Sequence, residues 1–270
     1  MPIEEVNPNK NMQVVQKVYR ASSVLLQGNV QTAVNNLFLF PGPFGTSKVF
    51  ELIPSIDPNF VAVFGLTSVF ANIPDQFDNA SIPELASLYV AEIKCRQPHG
   101  PYSLLGYSVG GTIAYEAARQ LIADKEAVER IYLVDSPCPL VIPSIPHNLM
   151  SFIGSTQANQ QELDSQPKAR VQPMSSTGGT PTLAINLPSL LKGDEKLMSW
   201  LLYDRRGLGA TGGGWERLVD RSKLKIATVD GNHLSIMEEP NQVLEWVTEL
   251  QSSYWDLSFP FKGRSTRKRW

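Results

Sequence analysis

Short apolar runs alternate with stretches of helical spacing through the first half of the chain. "SSVLLQG" (22–28), "LFLF" (37–40) and "VAVFGL" (61–66) read as strands, the last two apolar enough to be buried on both faces. "SIPELASLYVAEIKCRQ" then changes period. Ser81 with Glu84 three residues on is a capping box, Pro83 suits the first turn, and Leu85, Leu88, Tyr89 and Ile93 recur on one helical face. "YSLLGY" (102–107) is the next strand, followed by a helix through about Lys125 and the strand "RIYLVD" (130–135). Repeated βα units of this kind imply an α/β fold with a mostly parallel sheet and helices on both faces.

The alternation breaks over residues 136–195, which hold eight prolines and the polar tracts "STQANQQELDSQ" and "SSTGGTPT". So long a stretch without regular pattern inside a domain reads as a functional lid or a disordered insert, and a lid over about 140–195 is expected. Regularity returns with the helix "EKLMSWLLYDRR", the strand "LKIATVDG" and the helix "NQVLEWVTELQ". The organisation expected is a polar lead-in (1–20, helical at "MQVVQKVYR"), a domain over 21–260 carrying the lid, and a basic tail (261–270).

Composition narrows the setting. Of 270 residues, 42% are hydrophobic and 19% charged, which fits a soluble globular chain with a sizeable core. A net charge of −2 gives no general pull toward nucleic acid or acidic membrane. Cys95 and Cys138 are far apart, and with only three histidines they form no metal-ligand pattern; two unpaired thiols fit a reducing, cytoplasmic setting. No secretory h-region or membrane-length apolar run is read in the sequence. The last residues, "KGRSTRKRW", carry five basic side chains and no acid, the pattern of a solvated tail.

Within this frame "LLGYSVGGTIAYEAARQL" (104–121) stands out, because Ser108 sits at a strand-to-helix seam as the centre of Gly106-Tyr107-Ser108-Val109-Gly110. G-x-S-x-G in that context is a nucleophile elbow: a sharp turn exposes the serine, and the flanking positions must be small to fit. The bland reading is a tight turn in which the serine only caps the helix. A serine hydroxyl needs a base. His99 lies in a turn before the strand, His147 in the proline-rich segment, and His233 in the loop after a late strand, from which it can reach the elbow. The acid that orients this histidine is Asp135, ending the strand after the elbow helix, at the sheet edge where Ser108 also lies. Asp230, three residues before His233, is the runner-up, and Asp204, in a helix, the third choice. Ser108, Asp135 and His233 follow the order nucleophile, acid, base.

An oxyanion formed at Ser108 needs two N–H donors. The Val109 amide supplies one. The second comes from the loop 41–47, where Pro43 has no N–H, leaving Phe44 or Gly45, of which Phe44 is preferred. Tyr107 and the lid residues Leu140, Ile142, Ile145 and Phe152 are expected to bind the substrate.

The chain resembles the thioesterase domains that end fungal non-reducing iterative polyketide synthases. The likeness is carried by "SSVLLQGN", "LFLFPG", "VAVFGL", "RQPHGPYSLLGYSVGG", "AYEAARQLI", "VERIYLVDSPCP", "WLLYDRRGLG" with the following "GW", and "GNHLSIM". It covers most of residues 21–240 apart from the lid. The resemblance implies an α/β-hydrolase core and supports Asp135 as the acid. It also implies an acyl substrate held as a thioester on the phosphopantetheine of an acyl-carrier protein, with no other cofactor. Release in that family is by hydrolysis, lactonisation or carbon–carbon closure. The chain departs from the family in a shortened lid, where "TLAINL" (182–187) is the candidate for the usual strand, in "PGPFGTS" in place of a more glycine- and serine-rich loop, and in opening on its own methionine and a short lead-in. Two other readings stand beside this one: an esterase of free small esters, and a silent hydrolase-fold binding protein.

Overall fold

Leu37–Phe40, apolar at both alternating sets of positions, lies in a strand, Asn35–Phe40, with neighbours on both sides and a packed layer on each face. A computed structural model describes residues 20–43, 45–51, 53, 55–68, 71, 80–140, 213–226, 233, 236 and 237. Within them lie strands β1 (Ser22–Gln27), β2 (Asn35–Phe40), β3 (Val61–Thr67), β4 (Tyr102–Tyr107) and β5 (Val128–Val134), and helices α1 (Ile82–Arg96) and α2 (Val109–Ala123). The strands make one sheet in the order β1-β3-β2-β4-β5. Its β3-β2-β4-β5 portion is parallel, and β1 joins β3 antiparallel at the edge.

Register decides what meets at the sheet's C-terminal edge. Leu105 of β4 lies opposite Leu39 of β2 and Tyr132 of β5, and Tyr107 lies opposite Val134. The residues that follow, Ser108 and Asp135, therefore leave the sheet side by side, and the Ser108 N–H donates to the Val134 carbonyl at 3.0 Å.

Alternation along the strands sends two sets of side chains to two layers. Phe38, Phe40, Phe64 and Leu104 face α1 and α2, meeting Leu85, Tyr89, Ile93, Ile113, Ala117 and Leu121. The small residues of α2, Ala114, Ala117 and Ala118, let it lie close on the sheet. Burial pushes the Tyr89 hydroxyl well above the usual phenol range. On the opposite face Leu37, Leu39, Val63, Leu105 and Tyr107 are covered by Phe50, Ile53 and Ile56, from the stretch after β2, and by Ile236 and Met237. Both described helices thus share one face.

Helix α1 begins as its sequence specifies. Ser81 Oγ accepts from the Glu84 N–H, and the Glu84 carboxylate accepts from the Ser81 N–H at 2.8 Å, which holds that carboxyl below its ordinary range. The strand expected from "LKIATVDG" is not formed by residues 224–226, and its remainder lies outside the described residues, as do the expected lead-in helix, the lid beyond Leu140, the helices at 195–206 and 241–251, and the basic tail. Among the described residues no helix is long and apolar enough to cross a membrane.

Candidate active site

The turn between β4 and α2 is set by what its neighbours lack. Ser108 has φ 57° and ψ −134°, outside the regions a serine ordinarily occupies. A Cβ on Gly106 would run into the backbone of Gly110 and Gly111, and one on Gly110 into the carbonyls of Phe40 and Pro41. The strand, the turn and the first helical turn are therefore in backbone contact, and Ser108 is held at the tip. Gly106→Ala is expected to destabilise the chain by about 3 kcal/mol, since overpacking against backbone cannot be relieved by a rotamer change. Urea unfolding monitored by circular dichroism measures this.

Three side chains meet at this tip. His233 Nε2 lies 2.9 Å from Ser108 Oγ, and His233 Nδ1 lies 2.8 Å from Asp135 Oδ2. Ser108 and His233 are 5% and 4% exposed, so water is largely kept from the pair. A carboxylate at Nδ1 requires the proton there and leaves Nε2 as acceptor for the Ser108 hydroxyl. Asp135 itself sits at φ 43°, in the left-handed region.

The other candidates fall as follows. His99 is exposed and faces Glu126 at 3.4 Å, before β4 begins and so at the far edge of the sheet from Ser108. His147, Asp204 and Asp230 lie outside the described residues. Tyr107 is buried beneath the histidine: its ring stacks on the imidazole at 5.2 Å and 21°, and its hydroxyl donates to the His233 backbone carbonyl. That contact spans 126 positions, so no local pattern could disclose it. Only the aromatic at the x of G-x-S-x-G marks the place. Tyr107→Phe, which keeps the stack and loses the hydroxyl, is expected to lower kcat about tenfold with little change in KM. Steady-state kinetics on a thioester checks it.

The loop after β2 is closed by a turn in which the Gly45 N–H donates to the Gly42 carbonyl at 3.0 Å, and the Gly45 carbonyl accepts from the Ser68 N–H at 2.8 Å. The Gly45 amide is thus spent inside the turn. Phe44 is outside the described residues. The Val109 N–H opens α2, where the first amides have no intrahelical acceptor.

The loop after β5 carries further contacts that sequence reading missed. The Trp215 indole N–H donates to the Ser136 carbonyl at 3.0 Å, Thr112 Oγ1 donates to the Pro137 carbonyl at 2.9 Å, and Ser136 Oγ donates to the Gly106 carbonyl at 3.1 Å. Leu140 packs on the cluster of Tyr115, Cys138 and Trp215, while Ile142, Ile145 and Phe152 lie outside the described residues. Burial raises the Cys138 thiol above its ordinary pKa.

The chain is similar to known proteins in sequence and in fold. Residues 35–144 match the family model described as Thioesterase domain. The chain is 31% identical over 249 residues to the non-reducing polyketide synthase terA of Aspergillus terreus, covering 82% of this chain and 12% of that protein. It is 32% identical over 258 residues to the non-reducing polyketide synthase Preu8 of Preussia isomera, covering 85% of this chain and 12% of the relative. The chain thus spans about one eighth of the length of these curated relatives. Among solved structures it is similar to holo-AB3403, a four-domain nonribosomal peptide synthetase (TM-score 0.54, 20% identity, 88% of this chain and 20% of that one). It is also similar to the NocB thioesterase domain in covalent complex with a fluorophosphonate nocardicin G analog (TM-score 0.51, 20% identity, 86% and 98%).

Proposed function

We propose that the chain is a thioesterase domain of the α/β-hydrolase fold that releases an acyl chain of polyketide type from an acyl-carrier protein through an acyl-serine intermediate. The observation that carries the reading is the continuous relay Ser108–His233–Asp135 on a strained elbow. In the first half-reaction His233 Nε2 takes the Ser108 proton while Oγ attacks the thioester carbonyl. The C–S bond then breaks, and the imidazolium returns the proton to the leaving thiol of the phosphopantetheine arm. In the second, water or a hydroxyl of the chain, giving its proton to His233 Nε2, or an enolate carbon whose proton has passed to His233 Nε2, attacks the acyl carbon. The C–Oγ bond breaks and the imidazolium returns the proton to Ser108 Oγ, giving acid, lactone or carbocycle. Asp135 keeps the proton on Nδ1 and stabilises the imidazolium. The Val109 and Phe44 amides are the proposed oxyanion donors; with Gly45 committed to its turn, Phe44 is the remaining donor of the pair weighed for that loop. Every step uses a side chain or a backbone amide, so the chemistry calls on no metal or redox cofactor, and the phosphopantetheine arrives with the substrate.

Support for a polyketide chain as cargo, and for an acyl-carrier protein as partner, comes from the synthases whose sequences it matches over most of its own length. Mass spectrometry of products from a panel of acyl-carrier-protein thioesters tests the reading. Release of carrier-bound acyl groups is expected; hydrolysis of free small esters without release from the carrier would overturn it in favour of an esterase.

A further inference from the structure

Asp135 sits at φ 43°, a left-handed conformation uncommon for non-glycine residues though better tolerated by aspartate than by most. The next two residues are pinned from three directions. Ser136 Oγ donates to the carbonyl of Gly106 (3.1 Å) and, more weakly, to that of Val134 (3.3 Å), so the loop is tied to the elbow strand. Thr112 Oγ1, on the first turn of α2, donates to the Pro137 carbonyl. The Trp215 indole N–H donates to the Ser136 carbonyl. Trp215 is 5% exposed and meets the Tyr115 ring of α2 edge-on at 5.2 Å and 63°. A segment remote in sequence thus spans the elbow helix and the acid loop.

We propose that Trp215, with Thr112, is a positioning residue for the acid: by fixing the Ser136 and Pro137 carbonyls it locks the left-handed turn that aims Asp135 at His233 Nδ1. This rests on the reading of Ser108, His233 and Asp135 as the reacting relay. Trp215→Phe keeps a ring against Tyr115 and removes the N–H donor along with part of the buried indole's bulk; Thr112→Val, which removes a donor with little change of volume, separates the lost tie from lost packing.

The test is a double-mutant cycle on the full chain. The readouts are kcat and KM for a hexanoyl N-acetylcysteamine thioester and the rate of labelling by a fluorophosphonate. Trp215→Phe is expected to lower kcat about tenfold with KM within about twofold, since a small misaim at the base is felt in the chemical step. In an Asp135→Asn background the same substitution should change the labelling rate by less than about twofold, because residues acting as one unit are not additive. Thr112→Val should show a smaller loss that also vanishes in that background, and it carries the test if Trp215→Phe does not fold. Undiminished kcat in a folded Trp215→Phe, or in Thr112→Val where that variant carries the test, would overturn the proposal. So would a loss that persists in full beside Asp135→Asn, since that marks general destabilisation. Failure of the underlying reading looks different: Asp135→Asn alone would then keep its activity, or Ser108→Ala would still take the label.

Discussion

Ser108→Ala is expected to abolish covalent labelling by a fluorophosphonate and to reduce thioester turnover on the order of 10³-fold or more. The argument is chemical and local. Oγ is the atom that His233 Nε2 meets at 2.9 Å, and nothing on an alanine replaces it. The fold should survive, because the elbow is shaped by Gly106 and Gly110, whose backbones touch the neighbouring segments, and because the Ser108 N–H bond to Val134 belongs to the main chain. Circular dichroism and intact-protein mass spectrometry separate the two outcomes. A variant that still forms an acyl-enzyme would remove Ser108 from the mechanism.

Asp135→Asn is expected to reduce turnover on the order of 10⁴-fold, the scale seen when a triad acid becomes an amide. The asparagine is close in size and suits the φ of 43°, so the loop should keep its shape. It can offer its N–H₂ toward Nδ1, which then becomes the acceptor and places the proton on Nε2, where it faces Oγ and blocks general-base catalysis. Asp230→Asn is expected to cost far less. Parallel kcat/KM measurements on the two variants decide between them, and a reversal of their order would move the acid to 230.

Much of the scaffold was legible because its signals are local. The period switches from two to three-and-a-half around 80–82 and again at 108, and Ser81 with Glu84 marks one helix start. The elbow was legible because its glycines are required by contacts made within a few residues. The proximity of Ser108 and Asp135 could be argued from both lying at strand C-termini, which the β4–β5 register now makes adjacent. What could not be read depends on distant partners. A two-residue period gives no strand direction, so β1 was not marked as antiparallel. The stacking of Tyr107 on His233, a partner 126 positions away, follows no local spacing. Both Phe44 and Gly45 were open as donors because the sequence does not tell which amide a turn consumes. The contact of Trp215 with Ser136 crosses 79 positions and obeys no spacing rule.

The left-handed backbone at Asp135 carries an evolutionary consequence. Such a φ is comfortable for aspartate, asparagine and glycine and uncomfortable for most other side chains. The position is therefore filtered twice, once by the proton chemistry and once by the main chain. Glutamate, the obvious spare carboxylate, is disfavoured by the second filter, so the acid has few well-tolerated synonyms here. Asparagine passes the backbone filter and fails the chemical one, and a single base change in an aspartate codon reaches it. Glycine, also one base change away, passes the backbone filter and fails the chemical one too, so either residue at 135 would be compatible with a copy that kept the fold and gave up catalysis.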